Sequence, residues 1–66
     1  MPDIFPGSRI ERLPTVIERT GLCRSQIYAL LAQRRFPAKI KLSARAIGFL
    51  SHEIDGWIAE RAAARN

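Results

Sequence analysis

Gly21 narrows what this chain can fold into more than any other position, because it stands between two short segments of helical apolar spacing and leaves room only for a tight turn. Before it, Val16 and Ile17 continue an apolar set begun at Ile10 and Leu13, and Pro14 suits a first helical position, where its missing N–H costs nothing. This predicts a short helix from about Pro14 to Arg19. Glycine tolerates the left-handed conformation that ends many helices, and Leu22 supplies the apolar residue after the cap. Beyond the turn, Ile27, Leu30 and Leu31 fall at i, i+3 and i+4 and predict a second helix from Arg24 to about Gln33. That stripe leaves Ser25 and Ala29 on the opposite side, flanked by Gln26, Tyr28, Ala32 and Gln33. Cys23 takes the N-cap place. Cysteine caps poorly, at a cost of up to about 1 kcal/mol relative to serine, and Gln26 at N3 can compensate by reaching back.

After Phe36 and Pro37 the apolar period drops to two. Lys39, Lys41 and Ser43 alternate with Ile40 and Leu42, and Arg45 to Leu50 follows with β-branched and aromatic residues, which predicts a hairpin turning near Ser43 and Ala44. Gly48 inside the return strand signals a bulge or a close backbone approach. Ser51 reads as the N-cap of a last helix, with Glu53 and Asp55 in its first turn and Ile54, Trp57, Ile58 and Ala62 as its buried stripe. Trp57, the largest apolar side chain, is the expected centre of the core. Residues 1–8 contain Pro2, Pro6 and Gly7 without periodicity and read as a loose arm, leaving 9–66 as one domain. The expected fold is mainly α with a small β-hairpin: a helix-turn-helix followed by a wing.

Size and residue types exclude most other classes. A chain of 66 residues buries only about 60% of the surface it exposes unfolded, so it has one modest core and no deep substrate pocket. Cys23 is the single cysteine, so no internal disulfide is available, and no clustered His accompanies it to hold a metal. His52 is the only histidine and has no second base or nucleophile at a useful spacing; it reads as a surface residue. No catalytic group, metal or cofactor is expected. No apolar stretch approaches the roughly 20 residues that span a bilayer, and residues 1–8 lack the apolar centre of a signal peptide. The chain is therefore expected in the cytoplasm.

The formal net charge is +5, and its placement matters more than its size. Residues 1–22 hold three arginines against three acids, and residues 51–66 hold two against three. Residues 23–50 carry Arg24, Arg34, Arg35, Lys39, Lys41 and Arg45 with no acid at all. A run of this kind beside a helix-turn-helix pattern points to double-stranded DNA, whose major groove admits an α-helix. The first residues of the second helix would then reach base edges: Arg24 toward guanine, Gln26 toward adenine, and Ser25 and Tyr28 toward base or phosphate. Ala29 and Ala32 leave room for close approach. Tyr28 can equally pack against the wing. Lys39, Lys41 and Arg45 would meet the flanking backbone, with Arg45 able to enter a narrow minor groove.

With these elements in place, the chain resembles the AlpA family of small prophage-type regulators, related to the MerR-like and excisionase winged helices. The resemblance covers about Arg9 to Ala63. It rests on Arg12-Leu13-Pro14, Thr20-Gly21-Leu22 with Arg24-Ser25, Ile27-Tyr28, Phe36-Pro37, Lys41-Leu42, Arg45-Ala46-Ile47-Gly48-Phe49 and Glu53-Ile54-Asp55-Gly56-Trp57. It implies a DNA-binding transcription regulator of a phage or integrated element, reading DNA with the second helix and the wing. Three positions depart from the family pattern. Cys23 replaces the usual serine. Ala29 replaces a frequent basic residue and removes one DNA contact. Arg34 replaces a common helix-ending glycine, so either it takes a positive φ at a cost of roughly 1 kcal/mol or the helix ends differently; its charge can bind phosphate in return.

Two other roles fit the same residues. An excisionase-like architectural factor would bend attachment-site DNA and act with an integrase. A protein-interaction adaptor would dock a partner on the Ala-rich last helix and show little affinity for DNA at low salt. A module this small covers about 600 to 1,000 Å² of its own surface on DNA, so further copies of the chain are expected on repeated or inverted sites.

Overall fold

Ile10–Arg12 form a strand, β1, where the sequence suggested only the approach to the first helix. The computed structural model describes residues 7–65, and in it β1 leads directly into α1 (Leu13–Thr20) and α2 (Arg24–Ala32). The hairpin β2 (Ile40–Ser43) and β3 (Ala46–Leu50) follows, and α3 (Ser51–Ala64) closes the chain. The three strands make one antiparallel sheet in the order β1-β3-β2. The expected hairpin is thus two-thirds of a sheet. β1 escaped the sequence because three residues are too few to show a period, and its partner β3 lies about forty residues away. Most of the expected arm, residues 1–6, lies outside the described residues; at its end, Ser8 Oγ shares a hydrogen bond with His52 Nδ1 at 2.8 Å. His52 is accordingly half-buried against the chain start, and not simply a surface residue.

Both helix ends around the turn follow the local chemistry. Gly21 takes φ 74° and its N–H donates to Ile17 O at 2.9 Å, closing α1 with a left-handed cap. Cys23 is the N-cap of α2, and its N–H donates to Gln26 Oε1 at 2.9 Å. Sulfur accepts weakly, so the glutamine half carries this cap. At the other end, Arg34 has φ 57°, its N–H donates to Leu31 O at 3.1 Å, and the Arg35 N–H donates to Leu30 O at 2.9 Å. These paired bonds are a Schellman cap with arginine in the glycine place.

The β1–β3 register pairs Ile10 with Leu50, Glu11 with Phe49 and Arg12 with Gly48. On the other side of β3, Ile40 pairs with Gly48 and Lys41 with Ile47, and the ladder slips before Ser43 meets Ala46. The irregularity therefore sits in β2 around Leu42, while Gly48 answers to close approach. A Cβ at Gly48 would lie 2.6 Å from Ile10 Cγ2, 3.1 Å from Leu42 Cδ1 and 3.3 Å from Glu11 O.

Val16, Ile27, Phe49 and Ile54, one from each of α1, α2, β3 and α3, are fully buried and make the centre of the core. Leu13 and Phe36 complete it, with the Phe36 ring edge-on to Phe49 at 5.5 Å. Trp57 is not the centre that its size suggested. It is half-buried at the rim, 5.0 Å from the Phe36 ring, where its indole N–H reaches Arg35 O at 3.2 Å. An interior position would have left that donor without a partner. Ala62 is exposed, because the last turns of α3 run past the body of the domain.

Ser51 does not cap α3 either. Leu50 is the N-cap, and Ser51 Oγ accepts from the Arg9 N–H at 2.8 Å while the Ser51 N–H donates to Arg9 O at 2.7 Å. The hydroxyl thus extends the β1–β3 pairing by one step. Among the described residues no helix is long and apolar enough to cross a membrane.

Two stability measurements check this account. Gly48→Ala is expected to lower stability by about 1 to 3 kcal/mol in chemical denaturation, since Ile10 is stiff at χ1, and adding Ile10→Ala is expected to recover part of the loss. Arg34→Gly is expected to raise stability by up to about 1 kcal/mol, because it removes the left-handed strain at a helix end.

Candidate nucleic-acid interface

Ile27 fixes which way α2 faces. It is the one fully buried residue of that helix, with Leu30 and Leu31 half-buried beside it, so Arg24, Ser25, Gln26, Tyr28 and Ala29 are all exposed. The outward face is the one that the apolar spacing assigned. Gln26 is less free than its exposure implies, because its carbonyl oxygen already serves the Cys23 cap. A bidentate contact to adenine would use that same oxygen. Tyr28 is 41% exposed, and Lys39 Nζ lies 5.9 Å from its ring centroid, close enough for a weak cation–π contact from the wing.

The hairpin folds toward the start of α2. Arg24, Tyr28 and Arg45 line one cleft of about 140 Å³ together with Arg12, over an apolar floor that includes Leu13 and Ile47. No acid lines it. Lys41 is exposed on β2 opposite Ile47, on the same hairpin. Arg34 and Arg35 are elsewhere: they border a broader, shallow groove of about 610 Å³ with Arg61, Glu53, Glu60 and Trp57. The acid-free run in the sequence therefore divides in space, and of its cations Arg24 and Arg45 share a cleft that no carboxylate lines.

Two of the acids, Glu11 and Asp55, are held by one arginine. Arg19 Nη1 donates to Glu11 Oε1 at 2.6 Å and Oε2 at 2.7 Å, and Arg19 Nη2 donates to Asp55 Oδ1. These bonds, Glu11 first and Asp55 second, push the Arg19 guanidinium above its ordinary pKa, so it stays cationic at any working pH. They join β1, α1 and α3. Among the described residues, no group of three or more His, Cys, Asp or Glu side chains is placed to hold a metal.

The family described as Prophage CP4-57 regulatory protein (AlpA) matches residues 9–62. The chain belongs to the AlpA family. Among its AlpA-like relatives, the DNA-binding transcriptional activator AlpA of Escherichia coli K12 is 39% identical over 59 residues, covering 80% of this chain and 84% of that protein. The uncharacterized protein ORF88 of Enterobacteria phage P4 is 37% identical over 65 residues, covering 98% of this chain and 73% of the phage protein. No solved structure matches. The three helices and small antiparallel sheet accord with the winged helix-turn-helix expected of the family.

Arg12 is the member of the cleft that the sequence did not single out. It lies in a stretch where arginines and acids balance, and nothing local distinguishes it from Arg9 or Arg19. Only the pairing of Arg12 with Gly48 brings it beside the hairpin. Arg19→Ala is expected to lower stability by about 2 to 3 kcal/mol, since it leaves the Glu11 carboxylate buried and unpaired; chemical denaturation measures this, and Glu11→Gln in the same background is expected to restore part of it.

Proposed function

We propose that this chain binds duplex DNA as a transcriptional regulator of a prophage or integrated element, with α2 in the major groove and the β2–β3 hairpin on the flanking backbone. One observation supports the reading: the start of α2 and the hairpin turn meet at a cleft lined by Arg12, Arg24, Arg45 and an accessible tyrosine, with no carboxylate in its lining. A groove-facing helix needs such a surface, because phosphates on both sides repel acids. The name of the Escherichia coli relative, a DNA-binding transcriptional activator, supports regulation by DNA binding. Arg24, Ser25, Gln26 and Tyr28 form the groove-facing set, Lys39, Lys41 and Arg45 the wing set, and Arg34 and Arg35 add charge from the far end of α2. The activity in this reading is binding and not catalysis. Several copies act on repeated or inverted sites.

Gel-shift titration tests the reading with three duplexes: the neighbouring promoter, the attachment site of the element and an unrelated sequence. Tightest binding to the promoter is the expected result. Preference for the attachment site would place the chain beside an integrase as an excisionase-like factor, and absence of binding at low salt would favour an adaptor. Lys41→Ala is expected to weaken binding to all three duplexes alike and to flatten the salt dependence by about one unit, as for one lost phosphate neutralisation. A salt dependence equal to that of the parent chain takes Lys41 out of the interface.

A further inference from the structure

Arg12, Arg24 and Arg45 come from three separated stretches of the chain, the end of β1, the start of α2 and the hairpin turn, yet they line one small cleft. None of the three has an ion pair among the described residues; the ion pairs there are those of Arg19. Like charges gathered in this way repel one another unless an anion lies between them. The other cationic groove makes the contrast. There Arg34, Arg35 and Arg61 share the lining with Glu53 and Glu60, so an entering anion would meet carboxylates as well as cations. No carboxylate lines the cleft at Arg12. Its volume of about 140 Å³ lies below the range of small-molecule sites, which begin at about 300 Å³, so it suits a single anionic group and not a whole nucleotide or cofactor. Guanidinium groups are suited to that task, since each offers paired donors to phosphate oxygens.

We infer that Arg12, Arg24 and Arg45 together clamp one phosphodiester group of the DNA backbone at the junction of α1, α2 and the wing. The inference rests on the DNA-binding reading and sharpens it. Arg24 holds the backbone instead of a guanine edge, and sequence reading passes to the residues that follow it on the outward face, Ser25, Tyr28 and Ala29. The clamp sets the depth and register of α2 in the groove, because a contact shared by three elements admits one orientation of the domain.

The experiment measures affinity for a short mixed-sequence duplex over a series of salt concentrations, for the parent chain, the three single alanine variants and the triple variant. One shared phosphate predicts that the triple variant loses about one unit of log–log salt slope, with each single variant losing less. Three separate phosphates would remove about three units from the triple variant, and that result overturns the clamp. So does an unchanged slope. All three side chains are exposed, so folding is expected to survive, and thermal melting verifies it. Should the triple variant not fold, the Arg12→Ala and Arg45→Ala pair gives a double-mutant cycle. Non-additive losses of affinity are expected there, and additive losses overturn the clamp. Arg24→Ala alone is expected to weaken every sequence equally; relaxed preference at one base pair overturns its assignment to the backbone. Inorganic phosphate is the second probe. If the parent chain binds it, the triple variant does not, and the DNA slope is the same in both, the cleft takes a free anion and the backbone assignment fails. A parent chain that binds no duplex fails at the DNA reading itself, and the clamp falls with it; a parent chain that binds while the variants match its slope fails at the clamp alone.

Discussion

Burial of Ile27 against Val16, Phe49 and Ile54 is the contact on which the functional surface depends. α2 has nine residues and only this one fully inside, so the rotation of the helix about its axis is set by a single side chain supported by two half-buried leucines. Removing Ile27 from the core would free α2 to turn, and with it the outward face. In a chain of this size, where one small core supplies most of the stability, the same packing that holds the fold together also aims the helix.

The second constraint is electrostatic. Arg19 gathers Glu11 and Asp55, which come from the two charge-balanced ends, and fixes both carboxylates around one guanidinium. Two consequences follow from one cluster. β1, α1 and α3 are tied at one point, and two acids are held in an ion-pair cluster of their own, outside the lining of the cationic cleft. A net charge of +5 by itself gives solubility; with these two acids outside the cleft lining, its arginines face no carboxylate there.

Much of the fold was legible in sequence because the signals were local. Gly21 and its left-handed cap, the Cys23–Gln26 cap, the outward residues of α2 and the period-two hairpin each depend on residues within a few positions of one another. Arg34 was read as a choice between strain and a different helix end, and the backbone takes the strain. The misreadings share a cause. Ser51 has the side chain of an N-cap, yet its hydroxyl pairs with Arg9, which a strand from the far end of the chain delivers to it. Trp57 has the bulk of a core centre, yet its N–H seeks a carbonyl at the rim. In both cases a long-range partner outbid a local propensity.

The sequence by itself determined the three helices and the hairpin, the turn that joins the first two helices, the concentration of cations after Cys23 and the family, because helical spacing, caps and charge runs are written in neighbouring residues. Tertiary structure decided which of those cations stand together. Antiparallel pairing with β3 brought Arg12 into one cleft with Arg24 and Arg45, while Arg34 and Arg35, beyond the end of α2, border a groove with acids. The reason is one of range: a helix period repeats within four residues, whereas strand register joins positions about forty residues apart and leaves no trace in either segment alone.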